Sequence, residues 1–207
     1  MNQTRQSILN SIPATVEVCA VTKGRSLKQV EDLLKECPQI SIIGENRWPD
    51  CEEKFRNLAP KRGLKRHFIG RLQSNKLNKI LPIVDVIQSV DSLELLRKIN
   101  DRTPHPIEYC LQVNISNDPS KQGIKPSELR QIIKEAKDFG NVQLIGLMTI
   151  GSQENQEQYF SEFKTLFDEI SAEFGPLQVL SMGTSGDYQL AIKHGATMVR
   201  LGTCLFE

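Results

Sequence analysis

The sequence predicts a single parallel (β/α)8 barrel. Three observations carry that expectation. Short apolar runs alternate with amphipathic stretches along all 207 residues; the runs number eight, at which a parallel sheet can close on itself; and amine, hydroxyl and glycine residues gather where the runs end. An open doubly wound sheet shares the alternation but has no reason to stop at eight, and no Gly-x-Gly-x-x-Gly opens the first helix. The length lies at the lower limit for the barrel. No Pro/Gly/Ser-rich linker divides the chain, so residues 1–207 read as one domain.

The elements follow in order. Residues Asn2 to Asn10 read as an extra helix packed on the barrel. Strands are expected near 16–22, 40–44, 66–70, 84–88, 107–114, 143–149, 178–182 and 197–201. Their interiors are mainly apolar, as in Val18-Cys19-Ala20-Val21, which suits strands covered on both faces. Helices are expected at about 27–36, 48–58, 74–81, 92–101, 126–138, 155–173 and 186–194. Leu27, Val30, Leu33 and Leu34 recur at helical spacing, as do Leu129, Ile132, Ile133 and Ala136. The chain ends six residues after Leu201, so no full eighth helix follows the last strand.

Composition narrows the function. Lys+Arg is 26 against Asp+Glu 25, a formal net charge of +1, so nothing global points to a nucleic-acid partner, and the basic cluster Lys61 to Arg66 reads as a solvated loop. The five cysteines (Cys19, Cys37, Cys51, Cys110, Cys204) form no Cys-x-x-Cys pair and no zinc-ligand spacing, which predicts no metal site and a reducing, cytoplasmic setting. The N-terminus lacks a signal-peptide core, and no apolar run reaches membrane-spanning length. No long coiled coil or exposed apolar helix stands out, so a monomer is expected.

In a barrel of this type the chemistry sits at the strands' carboxyl ends. Lys23 stands at the first of these. An amine at a desolvated strand mouth loses charge stabilisation and becomes a nucleophile toward an aldehyde; the alternative is a surface lysine just past a strand. Two loops suit a phosphate: Ser181-Met182-Gly183-Thr184-Ser185-Gly186-Asp187 after strand seven, and Gly202-Thr203 after strand eight. Glycines there let backbone amides approach an anion; ordinary helix capping by Thr184 or Ser185 is the alternative. Arg200, inside a core strand, either donates to the ring nitrogen of a heterocycle or pairs with a strand carboxylate such as Asp85 or Glu108. His67 packs on a planar ligand, holds a water, or is a satisfied barrel histidine. Asn46 bonds a ring substituent or caps the next helix. Glu45 is a base or the partner of a nearby cation, and Asp187 reads as a first-turn helix acid. A lysine, two phosphate-gripping loops and a ring-facing arginine together suggest pyridoxal 5′-phosphate held as a Schiff base on Lys23.

The chain also resembles the pyridoxal-phosphate homeostasis protein family. The matching blocks are Ala20-Val21-Thr22-Lys23, Gly44-Glu45-Asn46, His67 through Lys76, Val113-Asn114-Ile115-Ser116 with Ser120-Lys121-Gln122-Gly123, Gly146 through Ile150, Ser181-Met182-Gly183 and Val199 through Thr203. They keep the family's order across nearly the whole chain. The resemblance implies a barrel similar to the N-terminal domain of alanine racemase, and a cofactor aldimine at Lys23. It implies Arg200 facing the pyridine nitrogen, Ser181, Ser185, Gly202 and Thr203 around the phosphate, and Asn46 and His67 beside the ring. It implies a carrier or buffer of the cofactor in vitamin B6 and amino-acid balance, without a catalytic residue, whose partners are cofactor-dependent acceptor enzymes. The alternative is an amino-acid racemase, for which Tyr188 is the candidate second base. Lys76 and Lys121 read as surface lysines. The chain departs from the family pattern at Thr184, Tyr188 and Arg47-Trp48-Pro49.

Overall fold

The computed structural model describes residues 4–59, 61–116, 122–151 and 155–207. Eight parallel strands close into a barrel in sequence order. They are β1 (Glu17–Val21), β2 (Ile42–Glu45), β3 (Lys65–Phe68), β4 (Val86–Val90), β5 (Ile107–Gln112), β6 (Val142–Met148), β7 (Val179–Thr184) and β8 (Met198–Leu201). Closure is made by β8 lying beside β1, with Cys19 opposite Arg200 and Ala20 opposite Leu201.

Helices α2 (Leu27–Glu36), α3 (Trp48–Asn57), α4 (Leu77–Ile80), α5 (Leu93–Arg102), α6 (Pro126–Glu135), α7 (Gln156–Phe174) and α8 (Tyr188–Lys193) follow β1 to β7 in turn. Their starts obey local chemistry. Ser26 and Gln29 form a reciprocal capping box on α2, Ser92 caps α5, and Pro126 occupies the first turn of α6 where its missing N–H costs nothing. α1 (Arg5–Asn10), capped by Thr4, packs near α9 (Thr203–Phe206), a single turn after β8. The described part of α1 agrees with the expected N-terminal helix; residues 2 and 3 lie outside the described residues.

Ends shift by two or three residues in β2, β3, β5, β7, α6 and α8, and two further segments depart from expectation. The helix expected over 74–81 is a 3-10 turn at Ser74–Lys76, one turn of α4, and a second 3-10 turn at Leu81–Ile83. Pro82 accounts for the stop of α4, since it has no N–H to continue an α-helix. The fourth strand runs Val86–Val90 instead of 84–88, which moves Gln88 from the expected strand end to mid-strand.

Side chains alternate between two cores. A large one fills the space between barrel and helices, with Phe68, Phe160, Phe163, Leu33 and Leu96 fully buried. A smaller one plugs the barrel interior with Cys19, Ile42, Val86, Cys110, Met148 and Met198. Cys19 and Cys110 are wholly buried, as expected of small hydrophobes. Burial pushes the Cys19 thiol up to about 12 and the Cys110 thiol above the ordinary range as well. Above this plug the interior turns polar, and there the site begins.

Candidate cofactor site

A cavity of about 610 Å³ opens at the strands' carboxyl ends. Lys23, Asn46, Ser185, Arg200, Gly202 and Thr203 all line it, so the structure brings together six of the eight sequence-selected residues.

Lys23 follows β1 in a tight turn. Gly24, at φ 70°, lets Arg25 N donate back to Thr22 O at 3.0 Å, and Thr22 N donates to Gly44 O at 2.9 Å. Lys23 is exposed at the rim, so the expected desolvation of its amine is not met. Its amine makes no hydrogen bond or ion pair among the described residues, which leaves it open to a ligand. Asn46 sits opposite the end of β3. The Oδ1 of Asn46 is buried with no partner, an acceptor unused at the cavity wall. Gly70 makes this arrangement possible: a Cβ there would lie 2.1 Å from Asn46 O. Asn46 does not cap α3, whose N-cap is Arg47.

Arg200 is buried to 6% exposure on the cavity floor. Among the described residues no carboxylate pairs with it. Glu108 is bonded to Lys65 and Asp85 accepts from Arg66 N, so the expected alternative of an ion pair with either does not hold. Instead Nη1 donates to Ser181 O (3.0 Å) and Ser181 Oγ (2.8 Å), and Nη2 donates to Thr149 O at 2.7 Å. A guanidinium has five N–H donors, so two remain for a ligand. Burial lowers its pKa from the usual guanidinium value, and a guanidinium keeps its charge in proteins.

Ser181 and His67 do not reach the cavity; both lie beneath it. Ser181 is fully buried, and its hydroxyl, accepting from Arg200, donates to Gln88 Oε1 at 2.7 Å. Gln88 Nε2 then lies 2.7 Å from His67 Nδ1. Because the amide nitrogen can only donate, Nδ1 accepts and the ring proton resides on Nε2, which has no partner. Burial lowers the His67 pKa to about 3, so the ring is neutral. The four residues form a buried chain from the mouth of β8 across the barrel to β3.

The β7 and β8 loops meet at Ser185. Its hydroxyl accepts from Gly202 N (3.1 Å) and Cys204 N (3.4 Å), tying the two loops together. Asp187 is the N-cap residue of α8 and accepts from Thr184 N and Thr184 Oγ1, so Thr184 and Ser185 are not that helix's cap. Glu45 resolves as a cation partner: it is paired with Lys54 at 2.6 Å, fully buried. Ser120 and Lys121 lie outside the described residues.

Sequence reasoning missed Gln112, Arg71 and Gln122 on the β3–β5 side of the cavity. Gln112 Nε2 donates to Gln122 O at 3.2 Å, and Arg71 donates to Gln122 Oε1 through Nε (2.8 Å) and Nη1 (3.1 Å) when that amide is turned to face it. Gln112 was hidden by placing the fifth strand's end at 114. Arg71 carried a signal: it follows Gly70 just past a strand end. Tyr188 is buried and does not line the cavity; neither does Tyr159, whose hydroxyl bonds Thr149 Oγ1 and Ile150 O.

A closed parallel barrel with an amine, a floor arginine and two small-residue loops at its mouth defines the class: an alanine-racemase-type cofactor barrel. The family model described as alanine racemase, N-terminal domain, matches residues 6–207. Alanine racemase from Clostridium difficile superimposes with a TM-score of 0.79 at 18% identity, over 96% of this chain and 54% of that one, a likeness of fold alone. The chain belongs to the pyridoxal phosphate homeostasis protein family. It is 35% identical to the protein of that name from Pasteurella multocida, covering 93% of this chain and 86% of the relative, and 35% identical to the one from Synechocystis, covering 96% and 94%. PipY from Synechococcus elongatus, solved with PLP bound, superimposes with a TM-score of 0.89 at 29% identity, over 98% of this chain and 97% of that one.

Proposed function

We propose that this chain binds pyridoxal 5′-phosphate reversibly and carries or buffers it, as one domain spanning residues 1–207. The observation that carries this reading is the convergence of Lys23, Arg200 and the Ser185 and Gly202–Thr203 loops on one cavity. When bound, the cofactor supplies an aldehyde that condenses with an amine. Lys23 offers that amine, exposed and unpaired. Arg200 offers two spare N–H donors to a ring nitrogen, and being permanently charged it keeps that nitrogen from taking a proton. Asn46 presents its unused oxygen to a ring substituent. Ser185, Gly202 and Thr203 receive the phosphate. Ser181 and His67 support the site from below through Arg200.

Carriage is favoured over racemisation. Two-base proton transfer needs a second acid/base facing the substrate carbon, and among the described residues no tyrosine lines the cavity. The reading extends to a cytoplasmic monomer that passes its cofactor to acceptor enzymes; the scattered cysteines support the compartment. Among the described residues no helix is long and apolar enough to cross a membrane.

The test is titration of the purified chain with pyridoxal phosphate, followed by visible absorption and by peptide mapping after borohydride reduction. The expected result is a saturable band and an adduct on Lys23. The Lys23→Ala variant, an exposed change expected to alter stability by less than about 0.5 kcal/mol, should lose both. An adduct mapped to another lysine refutes the assignment.

A further inference from the structure

The amine of Lys23 makes no hydrogen bond or ion pair among the described residues, so the backbone that carries it has a large part in aiming it. The residue before it is held by an unusual device. Glu45 and Lys54 form an ion pair 2.6 Å apart with side chains 0% and 3% exposed. Withdrawing both charges from water is expensive, and apolar side chains of similar volume commonly fill such a place without loss of stability. Stability therefore does not account for the pair, and its contacts do. Glu45 Oε2 accepts from Thr22 Oγ1 at 2.8 Å, and Glu45 Oε1 accepts from Asn46 N at 2.9 Å. Lys54 Nζ donates to Thr22 O at 2.7 Å. Thr22 Oγ1 also lies 3.2 Å from Gly44 O. One carboxylate and one amine thus grip two backbone points: the peptide that leads into Lys23, and the amide of Asn46.

The side-chain directions explain why the clamp stands outside the cavity. A Cβ on Gly44 would meet Cys19 Sγ, so Gly44 faces the barrel interior, and Glu45, next along β2, faces α3. Lys54 reaches back from α3 on the same stripe as Cys51 and Phe55. The pair sits behind the sheet, where it orients the site without meeting a ligand.

We propose that Glu45 and Lys54 are positioning residues that set Lys23 and Asn46 in fixed relation, so that a ligand aldehyde meets the amine in a prearranged geometry. The proposal rests on the reading that Lys23 captures pyridoxal phosphate. Pre-organisation of this kind strengthens binding by removing the ordering cost at the moment of capture.

The experiment compares the full-length parent with the double variant Glu45→Gln, Lys54→Met, which deletes both charges and leaves neither orphaned. Thermal melting without ligand is measured beside titration with pyridoxal phosphate and with phosphate-free pyridoxal. The expected result is a melting temperature close to the parent's with the dissociation constant raised about tenfold, the size outer-shell losses reach at metal sites. The loss should be equal for the two vitamers, since the clamp serves the amine and not the phosphate loops. Lys54→Arg, which keeps the charge, should bind more tightly than Lys54→Met. If the double variant does not fold, Thr22→Val carries the test: it deletes the hydroxyl's contacts to Glu45 and Gly44 O, leaves the ion pair intact, and should still weaken both vitamers. Variants that fold and bind like a titrating parent overturn the clamp alone. A parent that never titrates overturns the clamp together with the reading beneath it.

Discussion

Replacing Ser181 by alanine separates two roles for one hydroxyl. If Ser181 grips phosphate, the change weakens pyridoxal phosphate and spares pyridoxal. If it positions Arg200, as its place in the structure indicates, both vitamers weaken alike. Ser181 is wholly buried, and its oxygen takes a bond from Arg200 Nη1 at 2.8 Å and gives one to Gln88 Oε1 at 2.7 Å. Deleting it leaves Gln88 Oε1 without its donor, a penalty of about 1–3 kcal/mol, and takes from Arg200 one charge-assisted bond of similar worth. Arg200 keeps Ser181 O and Thr149 O, which moderates the second loss. The expected cost is about 2–4 kcal/mol. At about 2–4 °C per kcal/mol for a chain of this size, melting should fall by about 5–15 °C. Urea unfolding with an unchanged m-value measures the stability, and vitamer titration reads the role. Wild-type stability, or a loss confined to the phosphorylated vitamer, refutes the reasoning.

Ser185→Ala should behave in the opposite way. It lines the cavity and ties the two small-residue loops, so the phosphorylated vitamer should weaken selectively while stability drops by about 1 kcal/mol, the usual net worth of a hydrogen bond. His67 governs an acid dependence. Its folded pKa, lowered to about 3 by burial, lies below the unfolded value of 6.5, so unfolding takes up a proton between those limits. The stability it contributes is complete above 6.5 and falls as pH drops toward 3. Between pH 7.5 and 5 this amounts to about 2 kcal/mol, and His67→Gln should flatten the urea-measured profile by about that much. An unchanged slope would show that His67 titrates normally when folded.

The barrel was legible because strands covered on both faces are rich in apolar residues, and eight such runs alternating with amphipathic stretches favour closure over an open sheet. The residues at their ends were legible for the same reason: six of the eight chosen there line one cavity. What escaped was the layer beneath. Gln88 was read as a strand end, and only the shift of β4 to Val86–Val90 places it inside the barrel between Ser181 and His67. Those two are expected beside the cofactor but lie beneath the cavity, because which face a strand residue presents depends on register, which β7 and β8 shift between Ser181 and Thr184. Lys54 left a trace. With Cys51 and Phe55 it follows the spacing of α3's buried stripe, so a lysine there had to find a buried partner.

The site is supported from two sides by different chemistry. Inside the barrel a chain of neutral hydrogen bonds from His67 through Gln88 and Ser181 fixes a permanent charge at the cavity floor. Behind the sheet an ion pair fixes the backbone at the rim. The rim is where the proposed carrier must be both firm and open: Thr22 is clamped and fully buried, while the next residue's amine stands exposed. A catalyst that moves protons at the substrate would close its amine off from water and set an acid or base against it. An amine with a rigid base and a solvent-facing tip instead suits the proposed capture and release, because water has access to the place where that amine would act.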